Sequence, residues 1–369
     1  MREVLFVAGE ASGDMHAGGV AARLREIRPD LTAAGVGGAQ MRASGVQITR
    51  DYSELAVMGF TEVLKHIPKH AALLRTLRER LATGKVAAVV LIDYPGFNMK
   101  VAAAARDAGV PVLYYVTPQV WAWGAGRLPK LAKLVTKAAV ILPFEEQLLR
   151  GYGIDATFVG HPLLDRAGTL STREEARTRL GIAPDERVLA LFPGSRAQEI
   201  ARHFQPFIES GREMARRYPG LRVIVHAAPT VSLDGHECPF EIVHGKSFDV
   251  FRAVDVALCK SGTTTLEAAI AQCPMAVAYR TSPISYAIAR RVVKIPYIGL
   301  VNVVAGREVA KEFVQGALQP AAVADELGRL LDDAEYREQQ RTALVGVRQQ
   351  LGTPGAAERV AQMVSALAG

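Results

Sequence analysis

Four stretches of this chain have the residue types and spacing for chemistry, and each follows a short apolar run. Residues 4–8 run into Gly9-Glu10-Ala11-Ser12-Gly13-Asp14, where glycines permit a tight turn and Ser12 is a candidate cap for a following helix. Val86–Ile92 delivers Asp93-Tyr94-Pro95-Gly96-Phe97-Asn98. A carboxylate directly after an all-apolar strand sits in partly desolvated surroundings, where its pKa tends upward, as a general base requires. Phe192-Pro193-Gly194-Ser195-Arg196 brings a Gly turn and a guanidinium, whose planar fork suits diphosphate oxygens. Cys259-Lys260-Ser261-Gly262-Thr263-Thr264-Thr265-Leu266-Glu267 runs from a strand through a Gly/Ser/Thr turn into a helix. Amides and hydroxyls at such a helix start make an anion cradle, and Glu267, one turn on, is placed for ribose hydroxyls. Each stretch also has a plainer reading. The acids at 10 and 14 fit a solvated turn, Asp93 fits a helix cap, and the 261 turn fits a well-capped structural helix.

A fifth stretch, Tyr114-Tyr115-Val116-Thr117-Pro118-Gln119-Val120-Trp121-Ala122-Trp123, contains both tryptophans. Core packing is the usual reason for such a run. Pro118 and Gly124 make part of it loop, and aromatics on a loop suit sugar faces or acyl chains.

Several classes are disfavoured. The dinucleotide fingerprint G-x-G-x-x-G and the P-loop pattern are both missing. Three scattered cysteines without a C-x-x-C pair argue against a disulfide framework and a structural zinc site, and no His/Glu pair has metal-ligand spacing. The net charge of +7 fits nucleic acid, an anionic membrane surface or an anionic substrate, but no nucleic-acid module is recognisable. Lys65, Lys69, Arg75, Arg78, Arg80 and Lys85 concentrate the charge in one segment, and Arg127, Lys130, Lys133 and Lys137 recur at helical spacing in another. A solvated helix face explains these as well as a membrane-facing role does. No apolar run reaches the roughly 18 residues of a membrane-spanning helix, and the amino-terminal strand does not read as a signal peptide. The expected place is the cytoplasm.

The elements that must position these residues alternate strand and helix. Apolar strands are expected at 4–8, 86–92, 112–116, 138–142 and 156–159, with helical periodicity at 17–27 and 99–108. The signature restarts at 188–192, with a helix over 198–212 and strands at 221–225, 256–259 and 275–279. Ser171-Thr172-Arg173-Glu174 has the spacing of a capping box, with Gly181 as the helix stop. The reading is α/β, with two Rossmann-like domains at 1–165 and 166–335 and a closing helical segment at 336–369. Ligands of such sheets bind outside the carboxyl ends of the strands, where the residues above lie.

Taken in order, the motifs resemble the lipid-A-disaccharide synthases. The resemblance rests on Gly9-Glu10-Ala11-Ser12-Gly13-Asp14, Glu54-Leu55-Ala56-Val57-Met58-Gly59, Ile92-Asp93-Tyr94-Pro95-Gly96-Phe97-Asn98 and Pro118-Gln119-Val120-Trp121-Ala122-Trp123. It continues through Leu142-Pro143-Phe144-Glu145, Val159-Gly160-His161-Pro162, Leu191-Phe192-Pro193-Gly194-Ser195-Arg196, the 261–267 turn and Leu300-Val301-Asn302. It implies a GT-B type fold, with two domains facing across a cleft, and a glycosyltransferase needing neither cofactor nor metal. The implied donor is UDP-2,3-diacylglucosamine and the implied acceptor 2,3-diacylglucosamine 1-phosphate, joined β(1→6) with inversion. Asp93, Arg196 and Asn302 are implied as critical, with Glu10 the reserve base. The donor set is Ser12, Gly13, Gly194, Ser195 and Arg196, with Ser261, Gly262, Thr263, Thr264 and Glu267. Arg127 and Lys130 are candidates for the acceptor phosphate. A peripheral place on the inner face of the inner membrane is implied, with Val57, Met58 and Phe60 beside Lys65 and Lys69 as an amphipathic patch. The closing helix should return to the first domain, and a homodimer exchanging carboxyl-terminal parts is a further expectation.

Overall fold

The apolar runs become strands buried on both faces, because a parallel sheet carries helices on each side. A computed structural model describes residues 2–54, 60–168, 170–293 and 295–369. The chain divides into two compact units: residues through Asp165 with Gly352–Gly369, and Arg166–Leu351.

In the first unit the strands are β1 (Arg2–Ala8), β2 (Leu31–Gly37), β3 (Gln47–Asp51), β4 (Val86–Ile92), β5 (Val112–Tyr115), β6 (Lys137–Val140) and β7 (Ala156–Phe158). They form one parallel sheet in the order β3-β2-β1-β4-β5-β6-β7. The order reverses between β1 and β4, and Ala8 stands level with Ile92 in the register. The loops carrying Glu10 and Asp93 therefore start side by side at the switch point, where such sheets open a crevice. Every residue of β4 is buried, as is each of Val4–Ala8.

The second unit repeats the plan with β8 (Val188–Phe192), β9 (Arg222–His226), β10 (Glu241–Val243), β11 (Val256–Lys260), β12 (Met275–Tyr279) and β13 (Glu312–Val314). Its parallel order is β10-β9-β8-β11-β12-β13, and Phe192 stands level with Cys259. The Pro193 loop and the Ser261 turn thus flank the second switch point.

Several expectations change in detail. The closing segment 336–369 is not one piece. The helix Ala334–Gln350 stays with the second unit, where the Gln340 amide pairs with the Met275 backbone, accepting at 2.8 Å and donating at 3.1 Å. Only the helix Ala356–Ala368 returns to the first unit, burying Val360, Ala361 and Val364 against the helix Ala11–Ile27. Gly352-Thr353-Pro354-Gly355 breaks the run, with both glycines at positive φ. The capping box is Thr172 with Glu175, one residue later than expected, because the Ser171 hydroxyl is taken by Asp249 at 2.8 Å. The basic residues from Arg127 to Lys137 do not share a helix: a 3₁₀ turn, a five-residue helix and the start of β6 divide them. Arg80 is matched by a bidentate pair to Glu3 at 2.7 and 2.5 Å.

Asp14, read as a solvated acid, is 2% exposed. Its carboxylate accepts from the amides of Gly38, Gln40 and Met41 at 2.7, 2.9 and 3.1 Å, pinning the turn after β2 to the first helix. Removing it orphans buried donors, each worth about 1–3 kcal/mol. Asp14→Ala should therefore lower unfolding stability by about 2–3 kcal/mol in urea titration; a change below about 0.5 kcal/mol would show that these amides find other partners.

Candidate active site

At the rim of the first sheet, Gly9 meets the ring of Tyr94. A Cβ added at Gly9 would lie 2.2 Å from a ring carbon, so only glycine lets the two loops close on each other. Asp93 and Tyr94 both hold left-handed backbone, at φ 46° and 50°. Such residues cost about 1–3 kcal/mol each and persist only when their surroundings over-determine them. Here the determinants are visible. The Asp93 carbonyl accepts from Asn98 Nδ2 at 2.8 Å and from the Tyr114 hydroxyl at 2.7 Å, while its amide donates to Tyr115 at 3.2 Å. Asn98 is fully buried and also donates to Ile92 and Val7. The half-buried Asp93 carboxyl is thus carried on a fixed backbone. The Tyr94 hydroxyl meets His70 Nε2 at 2.5 Å.

Beside it, Glu10 is the N-cap residue of the helix Ala11–Ile27. Ser12 does not cap that helix; it lies inside it, and its hydroxyl donates to Glu10 Oε1 at 2.5 Å. Gly13 is buried, and a Cβ there would lie 3.3 Å from that of Ala8, so this glycine seats the helix against the strand ends.

The aromatic stretch divides. Tyr114 and Tyr115 are core residues whose hydroxyls burial pushes far above the ordinary tyrosine value. Trp121 is half-buried, and its indole N–H donates to Glu145 Oε1 at 2.9 Å. Glu145 Oε2 accepts from the Leu142 amide at 3.0 Å, and Phe144 packs edge-on against Trp121 at 4.9 Å. One buried carboxylate therefore joins the Trp121 and Phe144 motifs.

The second rim gathers cations around a helix start. Arg196 is the N-cap residue of the helix Ala197–Arg217 and extends into solvent, its side chain 66% exposed. Gly194 has φ 141°, and a Cβ on it would lie 2.6 Å from that of Glu199. Glu199 closes this loop: Oε2 accepts from the Ser195 amide at 2.9 Å, and Oε1 pairs with Lys260 Nζ at 2.7 Å. Burial raises the Glu199 carboxyl, but the Lys260 ammonium outweighs it and holds the group below the usual carboxylate range. His203, whose pKa burial lowers, donates from Nδ1 to the Glu199 carbonyl and accepts the Arg280 amide on Nε2.

Lys260 ends β11, and Ser261 and Gly262 lead into the helix Thr263–Ala271. Thr263 is exposed and Thr264 half-exposed, at a helix start whose first amides have no intrahelical partner. Such a start attracts anions. Glu267 is 8% exposed and pairs with Arg166 at 3.4 Å; burial raises its carboxyl.

Asn302 departs from the role expected of it. It is fully buried, and its amide is saturated: Nδ2 donates to Ala310 and to Glu312 Oε1, and Oδ1 accepts from Val309 and Ala310. Glu312 in turn accepts from the amides of Ile298 and Gly299, and the Ser261 hydroxyl donates to Ile298 at 2.6 Å. Asn302 is a positioning residue that fixes the Ser261 turn through Glu312.

Sequence reasoning missed Lys260, Glu199, Glu145 and Asn98 as site residues. A lysine ending an apolar strand beside a Ser-Gly-Thr turn was a usable signal for the first. The Trp121 and Lys260 partners of the carboxylates lie 24 and 61 residues away, where spacing gives no signal. Among the described residues, no three His, Cys, Asp or Glu side chains come together as a metal set.

Burial raises Glu145 from 4.5 to about 7, although the Trp121 and backbone bonds oppose the shift. A raised folded value means the folded chain holds an extra proton, so this stability is full below about pH 4.5 and lost as pH rises through about 7. Tryptophan emission should show an inflection near neutrality that Glu145→Gln abolishes. An inflection that survives the substitution would assign it to another group.

A sequence model of the lipid-A-disaccharide synthetase family matches residues 4–366. The chain is 41% identical to the lipid-A-disaccharide synthase of Geobacter metallireducens, covering 100% of this chain and 98% of that one. It is 40% identical to that of Myxococcus xanthus, covering 98% and 96%. Among solved structures it resembles the UDP-GlcNAc 2-epimerase of Neisseria meningitidis bound to UDP-GlcNAc, with a TM-score of 0.66 at 15% identity over 99% of this chain and 100% of that one. It also resembles the calicheamicin glycosyltransferase CalG4, with a TM-score of 0.60 at 16% identity over 100% and 98%. These likenesses fix the fold as the GT-B type. With near-complete coverage by its relatives, the chain belongs to the lipid-A-disaccharide synthase family of glycosyltransferases.

Proposed function

We propose that the chain condenses UDP-2,3-diacylglucosamine with 2,3-diacylglucosamine 1-phosphate, forming a β(1→6) disaccharide 1-phosphate and UDP with inversion. The observation that carries this reading is the division of charge between the two switch points. The first bears a carboxyl, Asp93, on a locked turn; the second gathers Lys260, Arg196 and a helix N-terminus.

The acceptor 6-hydroxyl oxygen attacks the donor anomeric carbon as the bond to the diphosphate breaks. The hydroxyl proton passes to Asp93, and the bonding pair leaves with UDP. Glu10, on the loop that leaves β1 beside the Asp93 loop, is the reserve base. Arg196, Lys260 and the amides from Gly262 to Thr264 meet the charge that develops on the diphosphate, the role fixed donors play elsewhere. Glu267 receives the ribose hydroxyls. Burial raises that carboxyl, and Arg166 beside it opposes the rise. No metal is needed in this scheme, because its positive charge comes from side chains and a helix start.

Both substrates carry acyl chains, so the protein works at the inner face of the inner membrane. No helix among the described residues is long and apolar enough to cross a bilayer. The amphipathic patch read at Val57 and Met58 lies outside the described residues.

Purified protein with both substrates should yield UDP and a disaccharide by mass spectrometry, undiminished in excess chelator. Loss of product that magnesium restores would end the metal-independent scheme. Asp93→Asn should lower kcat about 10²–10⁴-fold while UDP affinity changes little. Near-normal turnover would pass the role to Glu10. Lys260→Met should weaken UDP binding about tenfold, roughly 1.4 kcal/mol, in calorimetry; unchanged affinity would remove Lys260 from the diphosphate.

A further inference from the structure

The second unit has a cavity of about 340 Å³ at the end of the sheet opposite the Ser261 turn. Val254 lines it just before β11, and Ala271 to Pro274 line it just before β12. The strand length between the two ends places it roughly 20 Å from the donor turn.

Arg173, Arg252 and Arg341 line the cavity. Their compensation is unequal. Arg173 pairs with Asp255 at 2.6 Å, but Asp255 also serves Arg177 at 3.2 Å and the Val188 amide at 2.8 Å, so both its oxygens are committed. Arg252 has only carbonyl partners, Ser171 at 3.0 Å and Ala271 at 3.4 Å. Among the described residues neither Arg252 nor Arg341 meets a carboxylate within ion-pair distance. Arg341 Nε is buried and makes no hydrogen bond among them. Glu338, exposed, is the one acid in the lining. Three lining guanidiniums stand against the exposed Glu338 and an Asp255 already shared with Arg177.

A buried guanidinium N–H without an acceptor is costly, and its charge calls for a counter-charge rather than neutral packing. The guanidinium fork matches phosphoryl oxygens, and Thr342 and Gln272 in the same lining add hydrogen-bonding groups. Gln272 closes the helix Thr263–Ala271 as its left-handed C-cap, at φ 59°. Because Arg341 Nε is recessed, a phosphate fixed in a bilayer plane is a poor fit.

We infer that this cavity is a second anion site, taking a small water-soluble phosphoryl compound on Arg341, Arg252 and Arg173. It is separate from the diphosphate site of the transfer reaction.

Inorganic pyrophosphate is the probe, titrated calorimetrically into the full chain saturated with UDP. We expect a saturable event that Arg341→Gln weakens at least about tenfold, or about 1.4 kcal/mol, with UDP affinity and basal transfer unchanged. Arg252→Gln should act in the same direction, which guards against one variant misfolding. Arg196→Ala, altered at the opposite rim, should leave the event intact, so a failed donor assignment reads differently from a failed rear site. Arg341→Met should melt higher than the parent chain without pyrophosphate, because it removes a buried N–H that has no acceptor among the described residues, and should lose the pyrophosphate-induced rise in Tm. A titration silent in the presence of UDP, or one that Arg341→Gln and Arg252→Gln leave unchanged, would overturn the assignment.

Discussion

The rims of both sheets depend on one repeated interaction: a carboxylate accepting backbone amides from a neighbouring loop. Asp14 holds Gly38, Gln40 and Met41; Glu145 holds Leu142; Glu199 holds Ser195; Glu312 holds Ile298 and Gly299; Asp165 holds Gly355 and Ala357. The reason is geometric. Parallel strands release their chain at the carboxyl end, where the ladder stops and loop amides lose their partners. Water cannot serve those that are buried. An ionised acceptor takes two or more such amides at once and forms shorter, stronger bonds than a neutral one. The loops that carry chemistry are therefore rigid without being regular.

The same device sets the electrostatics of each site. Glu199 clamps its loop with one oxygen and pairs with Lys260 Nζ through the other, which ties that side chain to the start of the anion-binding turn. Arg166 pairs with the buried Glu267 carboxyl and opposes the rise that burial imposes on it. In the first unit the Asp93 carbonyl is held by the Asn98 amide and the Tyr114 phenol.

This division explains what sequence reading could and could not see. The strands of the deep core were legible because runs such as Val86–Ile92 are apolar throughout, and the switch-point loops followed from them. β2, β3, β10 and β13 were missed: Leu31–Gly37 carries Thr and Gly, Gln47–Asp51 is polar, and the other two are three residues long. The acids of the motifs were legible as acids but not as clamps. Asp14 meets partners 24 to 27 residues away, and Glu199 meets Lys260 across 61. Spacing along a chain does not encode such pairings. Asn302 illustrates the limit, since its presence in a motif marks importance and only its four buried bonds show that it acts through Glu312.

The helix Thr263–Ala271 links the two ends of the second sheet. Its amino end lies at the donor turn, and its carboxyl end, where Arg252 donates to Ala271, lies at the arginine-lined cavity. A helix dipole amounts to about half a charge at each end, so cations at the carboxyl end and an anion at the amino end both stabilise it. One guanidinium would satisfy that requirement. Arg173, Arg252 and Arg341 together exceed it, and the Arg341 Nε is buried without an acceptor among the described residues. The dipole therefore accounts for Arg252 but not for Arg341. The surplus charge at the rear of the sheet calls for a ligand of its own.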